Sequence, residues 1–452
     1  MAARSTRILP VQRLRKAPEN QSIAEWWATE SSRGSPEAAA VAEAAEALRT
    51  SDIPVGFPTE TVYGLGADAT RSSAVQGIYK AKQRPSDNPL IVHVDSIQMI
   101  HRILNPKEGK GAASSATRES NLIPPIYQPL ISRFWPGPLT ILLPNPPDSP
   151  LAKEVTANLP TFGVRMPASD FARLLIHVAD RPLAAPSANA STKPSPTTAQ
   201  HVYHDLHGRI DLILDGGPCG VGVESTVVDG LSDPPAVLRP GGIGIEELRS
   251  CPGWENVKIG YHDTSLHVKE VPRAPGMKYR HYSPKARVVL FEPGSHSTSV
   301  LRYVRDDLRN TAVGLHSIGI VRTKYWIPGL GLASEEQLSQ TKKQEPSPPQ
   351  QNENGNDQLN TSLTPISFDV PIDYDHDISP PPSSLPKTKK VYDLSLGADT
   401  ESIARGLFSA LRTLDELNVD VIYIEGIPDN EGDLAAAVMN RLRKAAEVGV
   451  RI

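Results

Sequence analysis

The sequence predicts an α/β protein of two domains, and three observations carry that prediction. Short apolar and β-branched runs alternate with capped, amphipathic segments along most of the chain. The 452 residues suffice for two buried cores. A stretch poor in large apolar residues, Gln337–Lys390, falls inside the second half and separates its periodic segments.

Ser35-Pro36-Glu37 supplies a cap, a first-turn proline and an early acid, and alanine-rich sequence runs on to Leu48, so a helix is predicted there. Strands follow at Ile53–Phe57, Leu90–Val94, Leu139–Leu143, Phe162–Met166, Asp211–Leu214, Ser225–Val228 and Ala236–Leu238. Helices are predicted at Ser72–Lys82, Asp170–Val178 and Thr198–Leu206. Together these give one α/β domain over residues 36–250. Residues 251–285 hold few periodic apolar positions and read as an ordered linker with the basic run Lys278-Tyr279-Arg280-His281-Tyr282. A second α/β domain spans 286–452, with strands at Arg287–Phe291, Ala312–Val321, Val391–Leu394 and Val419–Glu425 and helices at Thr400–Leu417 and Gly432–Glu447. Gln337–Lys390 is expected to be a disordered insertion in it, because such a composition cannot offset the entropy of ordering.

Residues 1–35 show no sustained apolar period and are expected to form a basic, loosely ordered leader. Arg4, Arg7, Arg13, Arg15 and Lys16 precede the first acid, Glu19, a pattern shared by organelle presequences and plain basic tails. The net charge of −4 gives no global attraction for nucleic acid. Two cysteines, Cys219 and Cys251, exclude a disulfide framework and a four-cysteine zinc site. No run of about 18 apolar residues is present, which argues against a membrane-spanning helix.

Four segments carry more chemistry than a plain core requires. Phe57 to Gly66, FPTETVYGLG, places hydroxyls and glycines after a strand, although it is neither a Walker loop nor a GxGxxG. Lys80, Lys82 and Arg84 precede Asn88 and the strand residue His93, either as a solvated helix end that suits the macrodipole or as a clamp for polyphosphate. Pro186-Ser187-Ala188-Asn189, continuing to Ser195, combines small residues with hydrogen-bonding ones. No GxSxG elbow surrounds Ser187, so ligand binding is favoured over acyl transfer. Gly216 to Thr226, followed by Leu238-Arg239-Pro240, offers backbone donors and an arginine at a strand end. Arg165 lies inside an apolar strand and therefore needs a carboxylate or phosphate partner, which makes it the leading candidate for gripping an amino-acid carboxylate. His201, His204 and His207, spaced by three, drift round a helix and read as a partly exposed face; no metal site is expected.

Taken in order, PTETVYGLGADA, KAKQRPSDNPLIVHV, FWPGPLT, VRMPA, APSANASTKPSPT, GVESTVVD and LRPGGI resemble the catalytic domain of the threonylcarbamoyl-AMP synthase family. APGMKYRHYSP and AVMNRLRKAA resemble the linker and the closing helix of its two-domain form. The resemblance implies a YrdC-like twisted open mixed sheet with helices and a smaller C-terminal Rossmann-like α/β domain. It implies synthesis of threonylcarbamoyl-AMP from L-threonine, bicarbonate and ATP with release of pyrophosphate, by a nucleotidyltransferase working with Mg²⁺ carried on ATP. The product would pass to a tRNA threonylcarbamoyl transferase complex for N6-threonylcarbamoyladenosine at tRNA position 37 in tRNAs reading ANN codons. By the same resemblance Thr61, His93, Arg165, Ser225 and the backbone near Ala185 hold threonine. Lys80, Lys82, Arg84, Asn88, Thr161, Ser187, Asn189, Ser195 and Arg239 meet ATP, Lys80 and Arg84 stabilise the transition-state charge, and Tyr282, with His281 beside it, closes the pocket. The expected compartment is the cytoplasm, with a mitochondrial fraction if the basic leader is a presequence. Two rival readings are an RNA-binding module with a basic cleft, which leaves contact with tRNA or double-stranded RNA open, and carbamoyl transfer from carbamoyl phosphate; the latter lacks its zinc-finger cysteines.

Overall fold

The computed structural model describes residues 4–14, 21–106, 122–261, 282–310, 316–334, 337, 363–371 and 388–452. The chain divides into two compact units, Met1–His281 with Gly432–Ala437, and Tyr282–Glu431 with Val438–Ile452.

In the first unit the strands are β1 Arg7–Pro10, β2 Val55–Phe57, β3 Gly64–Asp68, β4 Ile91–His93, β5 Leu139–Pro144, β6 Thr161–Arg165, β7 Leu183–Ala184, β8 Leu212–Asp215, β9 Thr226–Asp229, β10 Ala236–Arg239 and β11 Lys258–Ile259. They form one mixed sheet in the order β1-β8-β2-β3-β7-β4-β6-β5-β9-β10-β11. The β4/β6 and β5/β9 pairs are parallel, whereas β7 meets β4 and β5 meets β6 antiparallel. Helix Pro36–Thr50 starts where its sequence says: Ser35 accepts a hydrogen bond from the Ala38 N–H at 3.1 Å. Its alanines Ala44 and Ala45 sit in the main core with Leu174 and Leu175 of helix Asp170–Ala179. Small side chains on one helix let the other approach closely.

The second unit contains β12 Arg287–Phe291, β13 Ser317–Arg322, β14 Ile366–Pro371, β15 Thr388–Ser395, β16 Val421–Glu425 and β17 Val448–Val450, in the order β14-β15-β13-β16-β12-β17. All pairs are parallel except β14 with β15. Helices Ser297–Asn310, Thr400–Glu416 and Asp433–Ala445 accompany this sheet, as a Rossmann-like unit requires.

Most predicted elements recur with ends moved by one to three residues, and helix Ser72–Lys82 has the predicted bounds. Two expectations are corrected. The described part of the leader is not loosely ordered. β1 pairs in parallel with β8, and Ser22 and Glu25 form a capping box that starts helix Ile23–Ser32, whose Trp26 is 1 % exposed. Four strand residues and ten helical ones are too short a signal to show a period. Part of the supposed disordered insertion is sheet, since Ile366–Pro371 pairs with Thr388–Asp393; residues 338–362 and 372–387 lie outside the described residues. The FPTETVYGLG segment holds the last residue of β2 and the first three of β3, and its glycines admit the Phe57 ring, which a Cβ at Gly66 would meet at 2.8 Å. Helices Ile97–Leu104, Gln128–Phe134 and Ser297–Asn310 escaped the sequence reading. The basic positions Arg15, Lys16 and Lys278 to His281 lie outside the described residues, as do residues 311–315 of the predicted Ala312–Val321 strand.

Since Trp26 fills the core from a segment that the sequence marks as dispensable, Trp26→Ala is expected to destabilise the protein by about 3 kcal/mol or more in denaturant unfolding. A change within about 0.5 kcal/mol, the usual range for a surface residue, would return the leader to a passive role.

Candidate functional site

The site grows out of strand register. His93 on β4 lies opposite Arg165 on β6, and Ile91 opposite Gly163. Leu142 of β5 faces Gly163, Thr140 faces Val227 of β9, and Val227 faces Arg239 of β10. Side chains alternate along a strand, so these residues and Thr161 share one face of the sheet. Its apolar members Ile91, Leu142 and Val227, with Leu238, form a small cluster apart from the main core. Its polar members gather beside that floor.

Arg165, 3 % exposed, donates from Nε to the Gly137 carbonyl at 3.1 Å and from Nη1 to Thr61 Oγ1 at 2.9 Å. Nη2 meets the carboxylate of Glu60 in an ion pair. The carboxylate that a buried arginine demands is thus supplied from within the chain, by a residue that sequence reasoning missed. The signal was available: Glu60 is the one acid of the PTETVYGLG segment and directly precedes Thr61. Burial pushes the Glu60 carboxyl up, but the Arg165 charge and a backbone hydrogen bond at Ala168 outweigh it and hold it below its ordinary value.

His93, 4 % exposed, packs edge-on to Phe57 with ring centroids 6.4 Å apart. Burial, reinforced by the Arg165 charge, pushes its pKa down to about 3, so the imidazole is neutral at physiological pH. Arg239 donates from Nε and Nη2 to the Ser225 carbonyl at 3.0 and 2.8 Å, and from Nη2 to Ser225 Oγ at 3.0 Å. Ser225 Oγ lies 2.8 Å from Thr140 Oγ1. A Cβ on Gly241 would come within 2.4 Å of the backbone at Glu224 and Ser225, so glycine is needed for the chain to press Ser225 into place.

The second half of the site is the loop after β7. It is zipped to the segment around β3 by Leu65 N to Pro186 O, Ala188 N to Tyr63 O and Tyr63 N to Pro196 O, each 2.8 Å. Lys82, 2 % exposed, bonds through Nζ to the Ser187 carbonyl, to the Asn189 carbonyl at 2.7 Å and to Asn189 Oδ1 at 3.3 Å. Ser187 Oγ donates to Asn189 Oδ1 at 2.6 Å, and Asn189 Nδ2 donates to the Ala190 and Lys193 carbonyls at 2.8 and 2.9 Å. Ser195 Oγ donates to Glu224 Oε1 at 2.5 Å. Lys82 and Asn189 therefore shape this loop through bonds within the chain.

Between the two halves runs the segment entering β4. Helix Ser72–Lys82 ends at Gln83, in the left-handed region with φ 52°, which turns half-buried Arg84 back so that its N–H bonds Tyr79 O at 3.0 Å. Asn88 is fully buried, and among the described residues neither its Nδ2 nor its Oδ1 has a hydrogen-bond partner. The Ala185 N–H bonds Ile91 O at 3.0 Å, so Ala185, Ser187, Asn88 and the half-buried Thr161 lie at the entrances of β4 and β6, while His93 and Arg165 lie at their exits. Thr161 and Arg165 are about 13 Å apart along β6 at the usual rise per residue.

Lys80 is not brought to this face. Two residues along a helix turn the side chain by about 200°, so Lys82 is buried and Lys80 exposed. Lys80 lines a cavity with Asp52, Pro54 and Arg209 at the entrance of β2, whereas Glu60 and Thr61 follow its exit. Spacing alone had grouped it with Arg84. Tyr282, at φ 68°, stands in the second unit with its ring 5.2 Å from that of Phe408; His281 lies outside the described residues. On helix Ala199–Leu206, His204 is exposed and His201 half-buried, and His207 is exposed just past its end.

The folded pKa of His93 lies below the ordinary 6.5, so the unfolded chain binds the extra proton and stability falls as pH drops from 6.5 toward 3. Relative to His93→Asn, the wild-type protein is expected to lose about 2 kcal/mol between pH 7 and 5 in denaturant unfolding. Parallel losses in the two proteins would show that this imidazole titrates normally.

Residues 47–241 match the Sua5/YciO/YrdC family model, described as Telomere recombination, and residues 243–447 match the model described as Threonylcarbamoyl-AMP synthase, C-terminal domain. The chain is 44 % identical over 423 residues to the threonylcarbamoyl-AMP synthase of Schizosaccharomyces pombe, covering 90 % of this chain and 88 % of that one. It is 38 % identical to that of Bacillus subtilis, covering 90 % and 92 %. The crystal structure of Sua5 from Pyrococcus abyssi complexed with L-threonine aligns with a TM-score of 0.67 at 34 % identity, over 99 % of this chain and all of that one. Two family models in tandem and full-length relatives above 30 % identity leave one assignment: this chain belongs to the threonylcarbamoyl-AMP synthase family.

Proposed function

We propose that the chain makes threonylcarbamoyl-AMP from L-threonine, bicarbonate and ATP, releasing pyrophosphate. The observation that carries this reading is the single sheet face on which Arg165, His93 and Ser225 gather at one end and Asn88, Thr161 and the Ser187 loop at the other. In this reading the threonine carboxylate meets Arg165, its hydroxyl and amine meet Thr61, Ser225 and the Ala185 backbone, and neutral His93 hydrogen-bonds without adding charge. Threonine's amine joins bicarbonate, losing water, to give an N-carboxylate. One of its oxygens then attacks the α-phosphorus of ATP, and the bond to the β-phosphate oxygen breaks to expel pyrophosphate. No covalent protein intermediate is needed; placing the two reactants side by side supplies much of the rate.

Arg84 is the cation of the entering loop with access to the triphosphate, and Asn88, Thr161, Ser187 and Ser195 orient the nucleotide. Lys82 acts by holding the Ser187–Asn189 loop in shape, and Arg239 by holding Ser225. Among the described residues no three carboxylate, imidazole or thiol groups gather as metal ligands, so Mg²⁺ fits this site as a companion of the triphosphate, where it shares the phosphate charge. The product would go to a tRNA threonylcarbamoyl transferase. The rival reading as an RNA-binding module is not favoured, given a net charge of −4 and relatives named as synthases. Among the described residues no helix is long and apolar enough to cross a membrane. We place the enzyme in the cytoplasm; in a mitochondrial fraction, removal of a leader through Pro10 would strip β1 from β8.

Pyrophosphate release is expected to require L-threonine and bicarbonate together and to fall at least tenfold with serine or valine. Release that ignores the amino acid supplied would overturn the proposal. Asn88→Ala is expected to raise the KM for ATP about tenfold while changing stability by less than about 1 kcal/mol, because the amide it removes has no partner among the described residues to lose. An unchanged KM for ATP would remove Asn88 from the nucleotide site.

A further inference from the structure

We propose that the second unit carries its own anion site, which takes a phosphoryl group joined to an apolar body, such as a nucleoside monophosphate. The site is a cavity of about 340 Å³ lined by Arg305, Arg309 and Lys389, with no acid among the described residues of its wall. Its size falls within the range that small ligands occupy, about 300–1,000 Å³. Arg305 and Arg309 stand one turn apart on helix Ser297–Asn310, both exposed, and among the described residues neither forms an ion pair with an acid. The nearby Asp307 is taken by Arg287 and by the Tyr423 hydroxyl at 2.6 Å.

Lys389 reaches the same cavity from β15. Its residue is 2 % exposed, and among the described residues Nζ donates one hydrogen bond, to the Leu308 carbonyl at 2.9 Å. That carbonyl is one of those a helix end leaves unpaired, so capping explains one of the three ammonium donors and not the other two. The end of the helix contributes about half a negative charge. Asp307 and Asp420 act on Lys389 from outside that wall, while burial holds its pKa below the ordinary value, so the cationic character of the described wall rests chiefly on the two exposed guanidiniums.

The chemistry of the wall narrows the ligand. Two arginine forks and an ammonium exceed what a single carboxylate uses, whereas a doubly charged phosphoryl group accepts from all three. Leu332, Val370 and Pro371 supply an apolar side suited to a base or sugar rather than to a bare ion. A competing anion exists within the sequence, because Asp373, Asp375 and Asp377 occur between Pro371 and Thr388. The test separates the two.

AMP, with adenosine as control, is titrated calorimetrically into the full chain, into Asn88→Ala and into Arg305→Glu/Arg309→Glu. Expected is an AMP-binding event that Asn88→Ala retains, that the double substitution weakens at least tenfold, and that adenosine does not reproduce. Pyrophosphate release at saturating substrate stays unchanged in the double variant, since both arginines are exposed and outside the proposed catalytic face. AMP binding untouched by the double substitution overturns the proposal. So does the absence of an AMP-binding event that survives Asn88→Ala, which would leave these cations to the chain's own aspartates. Neither readout depends on the proposed synthase activity: that reading fails if the wild-type chain releases no pyrophosphate, whatever AMP does.

Discussion

The first unit is organised around a guanidinium that has been taken out of water. Burying an ion costs several kcal/mol even after the surroundings relax, so Arg165 is tolerable only where every donor finds an acceptor. Its three partners come from two places: Glu60 and Thr61 from the loop leaving β2, and the Gly137 carbonyl from the turn entering β5. The same guanidinium faces His93 across the β4/β6 pair and reinforces the burial that keeps that ring neutral. One buried charge therefore ties down two loops and adds to the burial that sets the protonation of a neighbour. Because Glu60 balances it, a carboxylate bound there as proposed would meet a partly satisfied arginine, and its binding would depend on how the Glu60 carboxylate shares the fork.

Lys82 plays the corresponding part on the other side. Its ammonium ends among carbonyls of the loop after β7, fastening helix Ser72–Lys82 to that loop. A cation engaged with carbonyls has its charge largely spoken for, whereas Lys80, two positions before it, is exposed and half-buried Arg84 follows the left-handed turn at Gln83. The division of labour between neighbours two positions apart follows from helix rotation and from nothing subtler.

How much of this was legible depended on where the physics is local. The Ser35 cap, the Ser72–Lys82 helix and the β-branched strands are written in adjacent residues and were read correctly. Arg165 stood out because an arginine in an apolar strand contradicts its surroundings. Its partner Glu60 did not, since 105 residues separate the two and only the sheet brings them together. Lys80 was misgrouped because spacing gives proximity along the chain and says nothing of which way a helix turns its side chains. The leader was misread for a similar reason: Arg7–Pro10 is held by a distant strand, β8, and no local period announces that. Family resemblance supplied the roles of Thr161 and Ser195, which no physical argument from sequence would have singled out.

That edge strand has a consequence for synthesis of the chain. Thr6 Oγ1 bonds the Ile210 carbonyl across 204 residues, and Arg7 to Pro10 align with Leu212 to Asp215. At ribosomal speeds of about 5–20 residues per second, the first strand emerges roughly 10 to 40 s before its partner exists. During that interval Ile8, Leu9 and Val11 have no sheet to join. The sheet can be completed along this border only after most of the unit has left the ribosome, so a nascent chain stalled before β8 presents an unpaired strand to whatever chaperone stands nearest.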